Sequence, residues 1–406
     1  MKVLTINCIY EKFSTGTIIK DIAYELKDSV DFIFTYEIGP KSINGRYRIA
    51  GKYEFYLNYV LARLMGLKYG TGVFTTNKLC RYIACNKPDV VHIHCPNTNS
   101  VNLYKLIDFL KVNQIPTVIT NHAEFFYTGN CAYAEECLGF TTGCGSCKKV
   151  FDASHPYLFD RTAFEWKKMK RSFEGFDKLI LIAVSPWQKE RIMLSPIMKN
   201  KKVKVVCNGV DTNTFHVAEH VPTVVTELRR NGIKKVFLHV TGSFEPNHND
   251  LKGGRFIVEI AKKLEDAVII VVGNSSIPNE EIKFDNIIFL GEIKDPHVLA
   301  EFYSAVDTTI IASKRETFGM VCAESLCCGT PIVGFVSGGP ESIALEEYSA
   351  FVEYGNCNLL LQKAYHMANI KENRCHEISK KAIEKYSKKR MAEEYYKIYN
   401  EVSISE

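Results

Sequence analysis

Over 406 residues, strand-sized apolar runs alternate with helix-sized segments, and this alternation restricts the fold more than any other feature. In the first half the runs fall at residues 2–6, 31–36, 89–92, 117–120, 179–184 and 202–206. In the second they fall at 236–240, 268–272, 287–290, 306–311, 332–335 and 350–352. Strands separated by helical crossovers pair in parallel, so each half predicts a doubly wound α/β sheet with helices on both faces. One core does not serve a chain of this length, and two domains facing across a cleft are expected.

The segment 306–343, VDTTIIASKRETFGMVCAESLCCGTPIVGFVSGGPESI, carries the most chemistry. An apolar strand breaks at Ser313 into a polar elbow, Lys314-Arg315-Glu316-Thr317-Phe318-Gly319. A helical run from Met320 to Cys328 follows and is stopped by Gly329-Thr330-Pro331; a second strand then leads to Ser337-Gly338-Gly339-Pro340. Strand, glycine turn and helix start form an anion site, because the first helical amides are unpaired and sit at the positive end of the dipole. Glu316 precedes the turn and Glu324 lies two turns into the helix. Carboxylates repel phosphate but accept hydrogen bonds from sugar or ribose hydroxyls. Phosphate on amides and hydroxyls on carboxylates together describe a sugar nucleotide.

Read as a whole, the string resembles the donor-site signature of retaining glycosyltransferases of family 4. The matching residues are Glu316, Phe318-Gly319, Glu324, Gly329-Thr330-Pro331, Gly338-Gly339 and Glu341. The resemblance covers nearly the whole chain and implies the GT-B fold. It divides the chain into an acceptor-side Rossmann-like domain over 1–207, a linker over 208–234 and a nucleotide-sugar-binding domain over 235–385. A final helix over 386–406, with Met391, Tyr395 and Tyr399 on one stripe, is implied to cross back onto the first domain. The implied reaction moves a sugar from a UDP- or GDP-sugar to a hydroxyl of a glycan or lipid-linked acceptor, as in bacterial polysaccharide assembly, with the anomeric configuration retained. No Asp-x-Asp metal site stands at the elbow, so chemistry without a metal cofactor is expected.

Catalytic candidates under this resemblance are Glu316, His122 and Lys252. Glu316, with the amides of Phe318 and Gly319, would orient the sugar, and Glu324 would hold the ribose. Lys252 and the amides of Met320 and Val321 would face the diphosphate, with Thr317 beside them. His122, at the end of the 117–120 strand, would hold the sugar from across the cleft; the acid that follows is displaced to Glu124. In the first domain the polar turn 13–17 offers Gly16 and Thr17, read from local sequence as an ordinary βα loop and by resemblance as a diphosphate contact. In the second, Lys252-Gly253 opens a helix expected from Asp250 to Leu264, but Ser243 stands where the family carries an Arg. Either Lys252 works with less help, or another cation such as Arg255 or His248 compensates.

Two further segments stand out. Cys131, Cys137, Cys144 and Cys147 crowd into one short loop whose Cys144-Gly145-Ser146-Cys147 turn suits a tetrahedral structural zinc site; reduced thiols, and a redox disulfide or iron–sulfur site, are the alternatives. Residues 41–81 hold eight basic residues against the single acid Glu54, interleaved with aromatics. A basic amphipathic helix there could lie on an anionic leaflet or pack on its own domain. With 46% hydrophobic and 24% charged residues, a net charge of +5, fourteen cysteines and no leader-like apolar start, a globular protein of the reducing cytoplasm is expected. It would work at the inner face of the membrane, without nucleic acid as a partner. Competing readings are a glycosidase, disfavoured because Glu324 lies among phosphate-binding features, and an inactive nucleotide-binding scaffold of a membrane assembly complex.

Overall fold

The computed structural model describes residues 1–11, 13–42, 45–153, 156, 158–246, 251–278 and 284–404. The chain divides into two compact units, Met1–Val206 with Met391–Glu406, and Cys207–Arg390.

Among the described residues the first unit holds a seven-stranded parallel sheet built from β1 (Lys2–Ile9), β2 (Asp31–Ile38), β3 (Arg46–Arg48), β4 (Val90–Ile93), β5 (Thr117–Asn121), β6 (Leu179–Ala183) and β7 (Lys202–Val205), in the order β3-β2-β1-β4-β5-β6-β7. A parallel sheet is covered on both faces, so its strands must be apolar on both. β1 shows this directly: Val3 and Leu4 are both fully buried but belong to separate clusters. One cluster gathers Leu4, Ile33, Val91, Ile93, Leu106 and Leu110. The other joins Val3, Ile18, Ile22, Val90 and Val118 to Met391, Tyr395 and Tyr399 of the last helix, Lys388–Ile404.

In the second unit the described strands form a six-stranded parallel sheet: β8 (Lys235–Ser243), β9 (Ala267–Asn274), β10 (Ile287–Gly291), β11 (Thr308–Ile311), β12 (Ile332–Phe335) and β13 (Ser349–Val352), ordered β10-β9-β8-β11-β12-β13. Alternate residues of β8 again serve opposite faces, with Phe237 packed among Phe256, Ile257 and Leu360, and Leu238 among Ala300, Phe302 and Tyr303. Residues 208–234, expected as a linker, lie within this unit. The helix Thr223–Arg230 there buries Val225 beside Val236, so an apolar face ties the segment down.

Both strand orders reverse direction next to their central strand, between β1 and β4 and between β8 and β11. At such a switch point the loops leaving the two strands run to opposite faces and open a crevice at the carboxyl edge of the sheet, where ligands bind in open α/β sheets.

Candidate functional site at the carboxyl edge of the second sheet

The two donor-side segments named from sequence flank the switch point of the second sheet: β8 runs into Ser243 and the loop toward Lys252, and β11 runs into the elbow. Two glycines fix how close these loops come. Gly253 has φ +76, and a Cβ there would lie 2.2 Å from the Ala312 carbonyl oxygen, so the lysine loop can lie against the end of β11 only with glycine at this position. Lys314 N–H donates to the Leu251 carbonyl at 2.8 Å, closing the same contact. On the other side a Cβ on Gly339 would come within 2.5 Å of the Thr317 and Phe318 backbone, while Gly339 N–H donates to Glu316 O at 2.8 Å. Glu341 accepts from the Ser337 amide and from the Gly338 amide at 2.5 Å, so this carboxylate holds the glycine loop in shape.

Within that frame Lys252 Nζ lies 2.7 Å from Glu316 Oε1. Gly319 (φ +90) precedes the helix Met320–Cys327 and supplies no side-chain cap to its opening amides at Met320 and Val321. Phe318 is buried and packs edge-on to Tyr386 at 6.4 Å, which anchors the elbow between Glu316 and the helix. Glu324 is half-buried on that helix and accepts one hydrogen bond among the described residues, from Tyr303 Oη at 3.1 Å. Desolvation pushes its carboxyl up to about 7, with the tyrosine bond pulling the other way. The structure therefore gathers a cation, a helix start without a side-chain cap and two carboxylates at one sheet edge.

Other expected positions fall differently. Ser243 Oγ donates to Glu245 Oε1 at 3.1 Å, and Glu245 also receives the Ser276 amide and hydroxyl, so the serine is engaged with an acid. Arg255 is exposed and lies over the Phe256 ring at 4.5 Å; His248 falls outside the described residues. The helix that follows Lys252 spans Gly254–Ala261, beginning later than expected, because the lysine loop is held against β11 by Gly253.

In the first unit the helix begins at Phe13, so Gly16 and Thr17 occupy its first turns instead of a loop ahead of it. Gly16 is buried against the backbone of Glu11, where a Cβ would sit 3.1 Å from the nearest atom, and Thr17 is exposed. His122 follows β5, is half-buried, and shares a hydrogen bond between Nε2 and His94 Nδ1 at 3.0 Å. Burial lowers its pKa to about 4, so the ring is neutral at physiological pH. Glu124 is fully buried and accepts from Arg191 Nε at 2.7 Å, from Tyr127 Oη at 2.6 Å and from the Ala134 amide. That carboxylate is tied into the core of the first unit by these three donors.

Around the cysteine loop, burial first and neighbouring thiols second push Cys131 and Cys144 up to about 12, with Cys137 and Cys147 among those neighbours in both cases. Among the described residues no group of three or more His, Cys, Asp or Glu is set to hold a metal ion. The helix Lys52–Met65 buries only Asn58 and Ala62. Its apolar side chains face outward, Tyr53 at 91% exposure and Leu57 at 60%, with Phe74 nearby in the sequence at 82%. No described helix is long and apolar enough to cross a membrane.

Two family models match the chain: residues 34–214 fit the model described as Glycosyltransferase Family 4, and residues 234–369 fit Glycosyl transferases group 1. The N-acetyl-alpha-D-glucosaminyl L-malate synthase of Bacillus anthracis is 24% identical over 225 residues, covering 51% of this chain and 55% of that protein, so the match spans about half of the relative's length. A protein described as a colanic acid biosynthesis glycosyl transferase, WcaC of Escherichia coli K12, is 22% identical over 77% of this chain and 76% of its own. The crystal structure of Anabaena Alr3699/HepE in complex with UDP superposes with a TM-score of 0.64 at 14% identity, over 99% of this chain and 100% of that one. The two-sheet architecture is that of the GT-B fold.

Proposed function

The chain belongs to the glycosyltransferases, with a family 4 domain ahead of a group 1 domain, and on that premise we propose that it transfers a sugar from a UDP- or GDP-sugar to a hydroxyl of a glycan or lipid-linked oligosaccharide in bacterial surface polysaccharide assembly. Retention at the anomeric carbon and independence of a catalytic metal belong to the same proposal. The observation that carries it is the Lys252–Glu316 pair at 2.7 Å beside an uncapped helix start, at the carboxyl edge of a sheet's switch point. UDP bound to the Anabaena protein of like fold supports the nucleotide, and the description of WcaC supports the polysaccharide.

In this reading negative charge grows on the departing diphosphate as the sugar acquires oxocarbenium character. Lys252 and the amides of Met320 and Val321 stabilise that charge, and preorganised donors of this kind are usually the largest catalytic contribution. Glu316 orients the sugar hydroxyls, Glu324 takes the ribose hydroxyls, and His122 meets the sugar. A thermal-shift screen of UDP, GDP and their sugar derivatives tests the proposal, since a ligand at a hundred times its dissociation constant adds about 2.7 kcal/mol. Ribose hydroxyls donate to an ionised carboxylate, and burial raises Glu324 to about 7. The shift should therefore grow from pH 6 to pH 8 in the native chain, and this growth should disappear in Glu324→Gln. No shift with any nucleotide removes the proposal.

The outward-facing apolar side of Lys52–Met65, flanked by Arg46, Arg48, Lys52, Arg63 and Lys68, supports peripheral binding to the anionic inner leaflet of the membrane, where a lipid-linked acceptor would be met. The protein should sediment with anionic liposomes at low salt, each well-placed basic residue adding about 1 kcal/mol. Unchanged sedimentation after neutralising Arg46, Arg48, Lys52 and Lys68 rejects this surface. For the cysteine loop the proposal is a structural zinc on Cys131, Cys137, Cys144 and Cys147, carried by their spacing in the sequence alone, since the described thiols are not gathered as a metal cage. Elemental analysis of protein purified without chelator decides it, absence of stoichiometric zinc counting against the site.

A further inference from the structure

Cys8 stands near the end of β1 and Cys95 just past the end of β4, the two strands that flank the switch point of the first sheet. Their register aligns them. Ile6 pairs with Ile93, and the His94 amide still donates to the Ile6 carbonyl at 2.9 Å past the last paired residues. Side chains two residues apart on a strand share a face, so Cys8 and Cys95 follow Ile6 and Ile93 onto one side of the sheet. Adjacent strands lie about 4.8 Å apart, inside the roughly 4.4–6.8 Å between Cα atoms that a disulfide spans. Both residues are buried in one cluster, Cys8 at 9% exposure and Cys95 at 6%.

The two thiols hydrogen-bond each other, and the proton belongs to Cys95. This bond is the largest influence on either group, lowering the pKa of Cys8 and raising that of Cys95 well above the ordinary thiol range. The backbone amides of Cys8 and Ile9 also favour the Cys8 thiolate, while burial and the Glu37 carboxylate oppose it. Glu37 extends the row on the other side: Asn7 pairs with Tyr36 and Ile9 with Ile38, which sets it opposite Cys8 on β2. Its carboxylate accepts from the Thr98 hydroxyl and, at 3.1 Å, from the Ser100 amide. When Cys8 keeps its own proton, its sulfur lies 4.0 Å from Asn7 Oδ1, the outer limit for a thiol donor. A thiol that receives a hydrogen bond from its neighbour is the better nucleophile, and the neighbour stands ready to resolve what it forms.

We propose that Cys8 and Cys95 are an oxidisable dithiol, which hydrogen peroxide converts into a disulfide bridging β1 and β4 at the switch point of the first sheet. The Cys8 sulfur attacks one peroxide oxygen, the O–O bond breaks, and the other oxygen leaves as water with the Cys8 proton. The Cys95 sulfur then attacks Cys8 Sγ, the S–O bond breaks, and the hydroxyl leaves as a second water with the Cys95 proton. Two thiols thereby lose two electrons and two protons, and one peroxide becomes two waters. Excess small thiol reverses the step by exchange. The bridge joins strand ends that are already neighbours and closes a long loop, so it restricts the unfolded chain more than it disturbs the folded one. It lies wholly within the first unit and stands whatever the chain transfers.

The full chain, reduced and then freed of reductant, is treated with a small molar excess of hydrogen peroxide, alkylated and digested without reduction. Mass spectrometry should find the peptide carrying Cys8 joined to the peptide carrying Cys95, lighter than the two free peptides by two hydrogens. Dithiothreitol should separate them, and the linked chain should resist denaturant better than the reduced one. In Cys95→Ala, which lacks the resolving thiol, Cys8 should stop at the sulfenic acid and be trapped by dimedone. Recovery of Cys8 and Cys95 as separately alkylated thiols after peroxide, their capture in links to other cysteines, or a Cys8–Cys95 link that weakens the fold overturns the proposal. Each of these results is read on the native chain, whether or not the variant folds.

Discussion

Replacing Lys252 by Met should lower sugar transfer by about 10²–10³-fold, equivalent to about 3–4 kcal/mol of transition-state stabilisation. The ammonium lies 2.7 Å from Glu316 Oε1, at the place where the loops after β8 and β11 meet. Gly253 lets the lysine loop close on β11, so the charge is held in position before substrate arrives. Charge on the leaving diphosphate is greater in the transition state than in the bound donor, and a fixed cation stabilises the former more. Steady-state kinetics should therefore show kcat falling further than nucleotide affinity. Lys252→Arg should restore little, because a planar guanidinium fork does not substitute for a compact ammonium at this spacing. Folding should be almost unaffected: the side chains of Lys252 and Glu316 are 39% and 23% exposed, and a pair so open to solvent adds at most about 1 kcal/mol. Turnover within a factor of a few of the native value would remove Lys252 from the chemistry.

Replacing Arg191 by Met should destabilise the first unit by about 3–5 kcal/mol, the usual consequence of stripping one partner from a buried ion pair. Glu124 is fully buried, and its carboxylate receives Arg191 Nε at 2.7 Å, Tyr127 Oη at 2.6 Å and the Ala134 amide. Without the arginine a charged or newly protonated carboxyl stays in the core with two donors. The double variant Glu124→Gln, Arg191→Met removes the charge together with its partner and should recover a large part of the loss. Denaturant midpoints of the native chain, both single variants and the double variant measure this coupling. Additive effects would show that the two groups act independently.

The alternation of apolar runs and helical patterns was enough to read two parallel sheets, because strands buried on both faces have nowhere to place polar residues. The elbow was legible for a similar reason, since Gly319, Gly339 and the two glutamates each answer a local demand of backbone approach or ligand chemistry. What stayed hidden depends on neighbours distant in sequence. β3, Arg46–Arg48, falls in the basic stretch 41–81 and not among the expected apolar runs, because an edge strand pairs on one side only and keeps its side chains partly in solvent. The position of Glu124 beside His122 suggested a share in the site, but its partner Arg191 lies 67 residues on. Gly16, a diphosphate contact by resemblance, lies in the first turns of a helix, where a Cβ would come to 3.1 Å of the Glu11 backbone, an approach set by residues outside its own turn. The His94–His122 pair spans 28 residues and becomes visible only when β4 and β5 are laid side by side.

A crystal structure of the full chain with UDP, or with GDP where that nucleotide gives the larger thermal shift, tests the donor assignment most directly. The diphosphate should lie against the amides of Met320 and Val321 within reach of Lys252 Nζ, with the ribose hydroxyls on Glu324. A nucleotide bound elsewhere on the chain, or one whose ribose ignores Glu324 while its phosphates ignore the start of that helix, would contradict it.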